Sequence, residues 1–422
     1  MKLCIIGAGA AGLCAIKHAI DHGFEVITAY EQSKEIGGTW VYTDEIGKDK
    51  YGLDIHSSMY QGLQTNSPKE IMQYPHFPYP EQEKSFIPSE EVLKYYHLYA
   101  NTFNLQKYIK FEHHVIRVRP LNGSKGWEVI VKDLKSGEYN LIEYDAVLVC
   151  NGHYNSPNIP FYEGQDVFEG KQMHSHDYRN AKYFQDETVL VIGAGPSGRD
   201  VVSEIQYVSK NVVWSHHDGK LSSQSFRENV IHKSDVEQFT KDGAIFADGS
   251  YQKCSIILYC TGYRYSFPFL SVECGISSVN NCIEPLYKHC ININNPTMAF
   301  IGLPLYVCDN QMFDLQTRFC LKFISGMKKM PSKNEMIDDL ENDKKIQLID
   351  RKLPKKKFHF LGIGYHQVYY KSLAKIAEIE PIKPVIGNIF ENMLNDFGND
   401  YFSFRKKAFK IIDDENFVTI SV

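Results

Sequence analysis

The first thirteen residues restrict the fold more than any other stretch. An apolar run of strand length, Lys2-Leu3-Cys4-Ile5-Ile6, ends directly in Gly7-Ala8-Gly9-Ala10-Ala11-Gly12, and the apolar residues Leu13, Ala15, Ile16 and Ile20 continue with helical spacing to about His22. The pattern reads as strand, G-x-G-x-x-G turn and helix start. Gly7 permits the turn, Gly9 lets backbone approach a pyrophosphate, and Gly12 allows helix and strand to pack closely. Phosphates then lie on the helix N-terminus beside Ala10 and Ala11. A second strand, Phe24 to Tyr30, leads to Glu31 and Gln32. A carboxylate at Glu31 is placed to take the hydroxyl pair of an unphosphorylated ribose, as in FAD or NAD.

The same pattern returns at Thr188-Val189-Leu190-Val191-Ile192, which runs into Gly193-Ala194-Gly195-Pro196-Ser197-Gly198 and a helix to about Val208. Two fingerprints predict two dinucleotide sites. Counting 24 residues from Gly7 gives Glu31, and the same count from Gly193 gives His217. With Ser215, His216, His217 and Lys220 in the acid's place, the second site favours the 2′-phosphate of NADP over NAD, although Asp218 counts against it. Each module closes on a buried strand and a glycine turn. The first ends at Cys150-Asn151-Gly152-His153 and the second at Cys260-Thr261-Gly262-Tyr263.

Short alternating runs at Val115–Val118 and Trp127–Val131 suggest a small antiparallel sheet before the first of these closing strands, and Pro157-Asn158-Ile159-Pro160 reads as a linker. The expected fold class is α/β, with two Rossmann-like dinucleotide-binding domains of the three-layer ββα/βαβ type and the NADP module inserted in the FAD domain. The expected division is residues 1–160 for the first part of the FAD-binding domain, 161–264 for the NADPH-binding domain, and 265–422 for its second part with C-terminal helices.

Composition narrows the class. A chain of 422 residues with 43% hydrophobic content buries a large core, and a net charge of −5 provides no basic field for nucleic acid. The ten cysteines lack any C-x-x-C spacing, which points to scattered thiols in a reducing, cytoplasmic setting; a secreted mature form is the alternative. There is no apolar run of about 18 residues to act as a membrane anchor. The sixteen histidines are dispersed, with no metal-ligand spacing. A homo-oligomer is left open.

Several residues are ambiguous on their own. Gly37-Gly38-Thr39-Trp40 either exposes backbone amides and a flat apolar face to a ligand or is a turn with a core Trp. Asn66, before Ser67-Pro68, reads as turn chemistry. A helix opening at Asn310 either points backbone amides at a flavin ring or is plain core. A chain that needs both FAD and NADPH is a disulfide or ferredoxin reductase, a monooxygenase, or a redox-sensing flavoprotein. The first usually needs a C-x-x-C or an electron-carrier surface, and neither is visible.

Between the modules lies Phe168-x-Gly170-x-x-x-His174-x-x-x-Tyr178-Arg179. This segment resembles the signature of the flavin-containing monooxygenases, with Tyr-Arg where the related Baeyer–Villiger enzymes have Trp followed by Pro or Asp. Glu35-Ile36-Gly37-Gly38-Thr39-Trp40 and Thr261-Gly262-Tyr263 are similar to further family segments, and the resemblance covers residues 3–380 approximately. It implies FAD and NADPH as cofactors, O₂ as co-substrate and a C4a-hydroperoxyflavin that oxygenates a soft nucleophile. An amine or alkaloid nitrogen would give an N-oxide and a thioether sulfur an S-oxide. It also implies that Thr65 and Asn66 lie beside the flavin, that Gln316 contacts the flavin or nicotinamide region, and that Tyr178 belongs to the cofactor-binding set. Asn66 and Gln316 are thus the expected catalytic residues. The sequence departs from the family at Ser215-His216-His217, where members often carry Arg. It also lacks the hydrophobic tail of membrane-bound members, and looks more like soluble insect or microbial types. The competing readings are an NADPH oxidase or redox sensor that releases hydrogen peroxide, and a Baeyer–Villiger enzyme.

Overall fold

Alternation along the first strand sets up the layers. In the computed structural model, which describes residues 1–123, 125–218, 221 and 226–421, Lys2–Ile6 sits inside a seven-stranded sheet. The strand order is Leu286–Tyr287, Ile291–Asn292, Met298–Phe300, Ala146–Val149, Lys2–Ile6, Val26–Glu31 and Ile109–Phe111. Successive side chains of a strand point to opposite faces. Leu3 and Ile5 therefore pack with Leu13 and Ile16 of the helix Ala10–Asp21, and with Leu315 and Phe319 of the helix Asp309–Ile324. Cys4 and Ile6 pack on the other face with Val129 and Val131 of a three-stranded antiparallel sheet. Leu3, Ile5, Leu13 and Ile16 are wholly buried, each stabilising the fold by about 1.5–3 kcal/mol.

The second glycine turn repeats this plan. Its sheet is parallel throughout, ordered Val230–Lys233, Asn211–Ser215, Thr188–Ile192, Ile256–Tyr259 and Lys171–His174. Val189 and Val191 face Val201 and Val202 of the helix Pro196–Ile205, while Leu190 and Ile192 face Phe239 and Phe246 of another small antiparallel sheet. All strands of this sheet lie between Lys171 and Tyr259. The chain then returns to the first sheet, where Met298–Phe300 pairs in parallel with Ala146–Val149. Beyond that come the helices Tyr365–Ala377 and Pro384–Asn399 and a hairpin, Lys407–Ile411 with Phe417–Ser421.

Among the described residues no helix is long and apolar enough to cross a membrane. All ten cysteines are buried and unbonded. The fold does bring Cys14, His18 and Asp314 together, with one potential ligand atom from each within 4.8 Å, although no spacing in the sequence suggests it. The carboxylate of Asp314 is already engaged there by His18 at 2.5 Å and by Arg318 at 2.6 Å.

Candidate functional site

The first glycine turn opens onto a cavity at the carboxyl end of its sheet, where α/β folds place ligands. Gly7 and Gly12 serve packing. A Cβ on Gly7, at φ +103°, would lie 2.6 Å from the Cys150 carbonyl oxygen, and one on Gly12 would lie 2.0 Å from that of Gly7. Gly9 has a different neighbour, Gly38, and a Cβ on either would enter the narrow space between the two backbones. Gly7, Gly9, Ala10 and Ala11 line the cavity on one side and Gly38, Thr39 and Trp40 on the other, with Glu31, Gln32, Asn151 and Gly152 completing the set expected from sequence. No side chain caps the helix start at Gly9, so its first amides are available to an anion. Glu31 is buried and oriented by two backbone amides, accepting from Ala8 N–H and from Ser33 N–H, both at 2.8 Å.

Several lining residues were not expected from the sequence as site residues. Met72 and Tyr96, with Asn310 at the start of its helix, form a polar-edged wall, in which Tyr96 Oη donates to Asn310 Oδ1 at 3.2 Å and Asn310 Nδ2 donates to the Met72 carbonyl. His153 is another. Its Nδ1 lies 2.9 Å from the Gly302 carbonyl and must donate to it, which leaves Nε2 as the acceptor of a neutral ring. Burial pushes the His153 pKa down to about 4, so the ring is uncharged at neutral pH. Asp309 also lines the cavity, where desolvation pushes its carboxyl up to about 6.

Gln316 requires correction. It is wholly buried behind the cavity wall, with Oε1 accepting from Gly302 N–H at 2.9 Å and Nε2 donating to Tyr369 Oη at 2.7 Å. Its oxygen holds Gly302 and its nitrogen is tied to Tyr369, so Gln316 shapes the wall without lining it. Tyr178 is also core. It is buried against Tyr60 and Phe184, and its hydroxyl donates to Glu204 at 2.5 Å. Its neighbour Arg179 explains the motif better. That buried guanidinium donates to the carbonyls of Glu45, Ser57, Met59, His176 and Tyr178, stapling the 45–60 segment to the second module. Thr65 and Asn66 do not line this cavity. Thr65 is buried and pairs with Ile87, while Asn66 Oδ1 accepts from Arg405.

In the second module a Cβ on Gly193 would lie 2.4 Å from Cys260 O, and one on Gly198 2.2 Å from Gly193 O, whereas Gly195 faces open space. Pro196 and Ser197 start the helix after it, again without a side-chain cap. Thr261 Oγ1 donates to the Asn158 carbonyl at 2.5 Å, Gly262 takes φ +80°, and the Tyr263 ring stacks edge-on to His174 and Tyr154. The count that reached His217 is one residue too long. Gly7 N–H donates to Tyr30 O and Gly193 N–H donates to Ser215 O, which aligns Glu31 with His216 and Gln32 with His217. Neither Ser215 nor His216 presents a free donor. Ser215 Oγ donates to Ser234 O, and His216 Nδ1 accepts from Asp218 N–H, so its Nε2–H donates to His232 Nδ1 at 2.7 Å. Burial, reinforced by His232, pushes the His216 pKa down to about 4. His217 is exposed, with Asp235 3.4 Å away. Lys220 lies outside the described residues.

The family described as "FMO-like: Flavin-binding monooxygenase-like" matches residues 1–226 and 218–396. The chain belongs to the flavin-containing monooxygenase family. Senecionine N-oxygenase of Tyria jacobaeae is 33% identical to this monooxygenase over 99% of the chain and 91% of its own length. Flavin-containing monooxygenase FMO GS-OX4 of Arabidopsis thaliana is 38% identical, over 85% of this chain and 80% of its own. Among solved structures, S-allyl-L-cysteine S-oxygenase from Allium sativum superposes with a TM-score of 0.89 at 31% identity, covering 96% of this chain and 94% of that one.

Proposed function

We propose that this monooxygenase binds FAD on the first module and NADPH on the second, and uses O₂ to oxygenate a tertiary amine nitrogen or a thioether sulfur. The observation that carries the reading is the pair of uncapped helix starts, Gly9–Ala11 and Gly195–Ser197, each at the carboxyl end of the parallel strands of its own sheet. Bound FAD would supply the activation of O₂, with electrons from NADPH. The chain's part is binding and exclusion of water. Glu31, held by two amides, takes the ribose hydroxyls, and Gly9, packed close to the Gly38 backbone, leaves the helix start bare for a pyrophosphate that a side chain there would crowd. Trp40, Tyr96 and Asn310 enclose the far end of the cavity. Neutral His153 brings no charge to the cavity at neutral pH, whereas Asp309, its carboxyl raised only to about 6, is mostly ionised there. His217, exposed at the end of its strand, contributes to the 2′-phosphate that separates NADPH from NADH.

The names of the relatives span nitrogen and sulfur oxygenation, which supports a soft nucleophile of either kind as substrate. The test supplies the purified enzyme with NADPH, air and a panel of tertiary amines and thioethers, and measures NADPH loss, peroxide and product together. Formation of N-oxide or S-oxide in proportion to NADPH is expected. Peroxide released one-for-one with NADPH, and no product from any member, would make it an NADPH oxidase or redox sensor.

A further inference from the structure

A polar cluster where the two modules meet has no part in the wall of the cavity. Asp200, in the second turn of the helix Pro196–Ile205, is buried yet fully partnered. It accepts from Tyr60 Oη at 2.6 Å, from Tyr401 Oη, and from Arg405 Nη2 at 2.9 and 3.1 Å to its two oxygens. The same Nη2 donates to Asn66 Oδ1, and Arg405 Nε donates to the Thr65 carbonyl at 3.2 Å. Two hydrogens on Nη2 suffice for Asn66 and Asp200 together, and Nε carries the third bond. An arginine fork offers this geometry; a lysine ammonium does not. Arginine has no acceptor, so the atom Asn66 turns toward it is the oxygen.

The segment that delivers Arg405 is itself seated on the nucleotide module. Arg199, next to Asp200, donates from Nη1 to the Phe397 carbonyl at 3.1 Å and lies 4.8 Å from the Phe397 ring. Phe226 and Phe402 meet edge to face at 4.8 Å. Residues 397–405 are therefore pinned to the helix behind Gly195 and reach across to the loop of Asn66.

We propose that Arg405 is a positioning residue for Asn66: it holds Oδ1 and so leaves Nδ2 as the donor directed away from the fork. By sharing its guanidinium with Asp200, it ties that orientation to the seating of the nucleotide helix. The inference rests on the proposed function together with what the family resemblance implies for Asn66, action beside the flavin, since Asn66 itself stands outside the cavity wall described above. It adds that this action is set by the C-terminal segment.

The experiment compares holoenzyme carrying Arg405→Met, Arg405→Lys, Asn66→Leu, and Arg405→Met with Asn66→Leu. Two quantities are read: NADP⁺ affinity from the perturbed flavin spectrum of the oxidised protein, and the share of NADPH electrons that emerges as peroxide. Arg405→Met and Asn66→Leu are each expected to weaken NADP⁺ binding about tenfold, the loss of one charged hydrogen bond, and to raise the peroxide share. The double variant should be no worse than the worse single one, since both remove the same contact. Arg405→Lys retains a charge opposite Asp200 and so should fold even if the Met variant does not, yet it should raise the peroxide share as Asn66→Leu does. Additive losses in the double variant, or an Arg405→Lys enzyme matching the parent in both readings, overturns the proposal alone. An unmutated holoenzyme that neither binds NADP⁺ nor oxygenates overturns the functional reading and the proposal together.

Discussion

The two glycine modules share a skeleton and differ where a ligand would sit. In both, the first and third glycines are demanded by protein contacts: Gly7 and Gly193 by the carbonyls of Cys150 and Cys260, Gly12 and Gly198 by those of Gly7 and Gly193. The middle glycines diverge, because Gly9 faces Gly38 across a narrow cleft while Gly195 opens to free space. The residue after the second strand diverges as well. Glu31 is an acceptor fixed by two amides; its counterpart His216 is a neutral ring turned toward His232. Two of the three glycines thus report on packing, and only the middle one, with the residue at the end of the second strand, carries information about the nucleotide.

If packing alone explains the outer glycines, Gly12→Val and Gly198→Val should be equally damaging. Each places a Cβ about 2 Å from a carbonyl oxygen, and each is expected to cost more than about 3 kcal/mol. Urea midpoints and soluble yield measure this. A tolerant module would break the equivalence. Glu31→Gln sharpens the difference between the modules: removing the charge and one acceptor should weaken FAD binding by about 1.5–3 kcal/mol, read by titrating flavin-free protein. His216→Gln should shift the Michaelis constant for NADPH by less than that, because His216 is already paired within the protein.

A further effect is in pH. Burial pushes His153, His174, His216 and His289 down to about 4, below the ordinary histidine value near 6.5. Between these values the unfolded chain binds more protons than the native one, so stability is fully present above about pH 6.5 and is lost as pH falls toward 4. The melting temperature is expected to fall steadily across that window, at about 2–4 °C per kcal/mol, and His216→Gln should flatten the profile. A flat profile for the parent enzyme would show that these rings carry charge when folded.

Much of the layout was legible because it follows from local rules. Strand, turn and helix at Lys2–Asp21 and Thr188–Ile205 follow from periodicity and glycine, and Glu31 from its distance to the turn. The count set His217 rather than its neighbour His216 opposite Glu31 because the stretch from Gly193 to its partner Ser215 is one residue shorter than that from Gly7 to Tyr30, and counting cannot detect this without the hydrogen bonds. Gln316 was misread because helical spacing marks a buried face but not which backbone group an amide on that face will satisfy. His153 stood beside a recognised turn, yet its role depends on the carbonyl of Gly302, 149 residues away. The partnership of Asn66 with Arg405 spans 339 residues and leaves no periodic trace.

The division of labour between the modules is tested most directly by one paired measurement. Gly9→Val and Gly195→Val each add a side chain that the surrounding protein does not exclude: Gly195 has open space, and Gly9 meets only the Gly38 backbone at 3.4 Å. Both proteins should fold, so their flavin spectra can be compared before and after addition of NADPH under nitrogen. The account predicts that the Gly9→Val protein is colourless. The Gly195→Val protein should be fully yellow and bleached by dithionite, yet not reduced by NADPH at the parent's rate. A yellow Gly9→Val protein, or a Gly195→Val protein that NADPH reduces as fast as the parent, would contradict it.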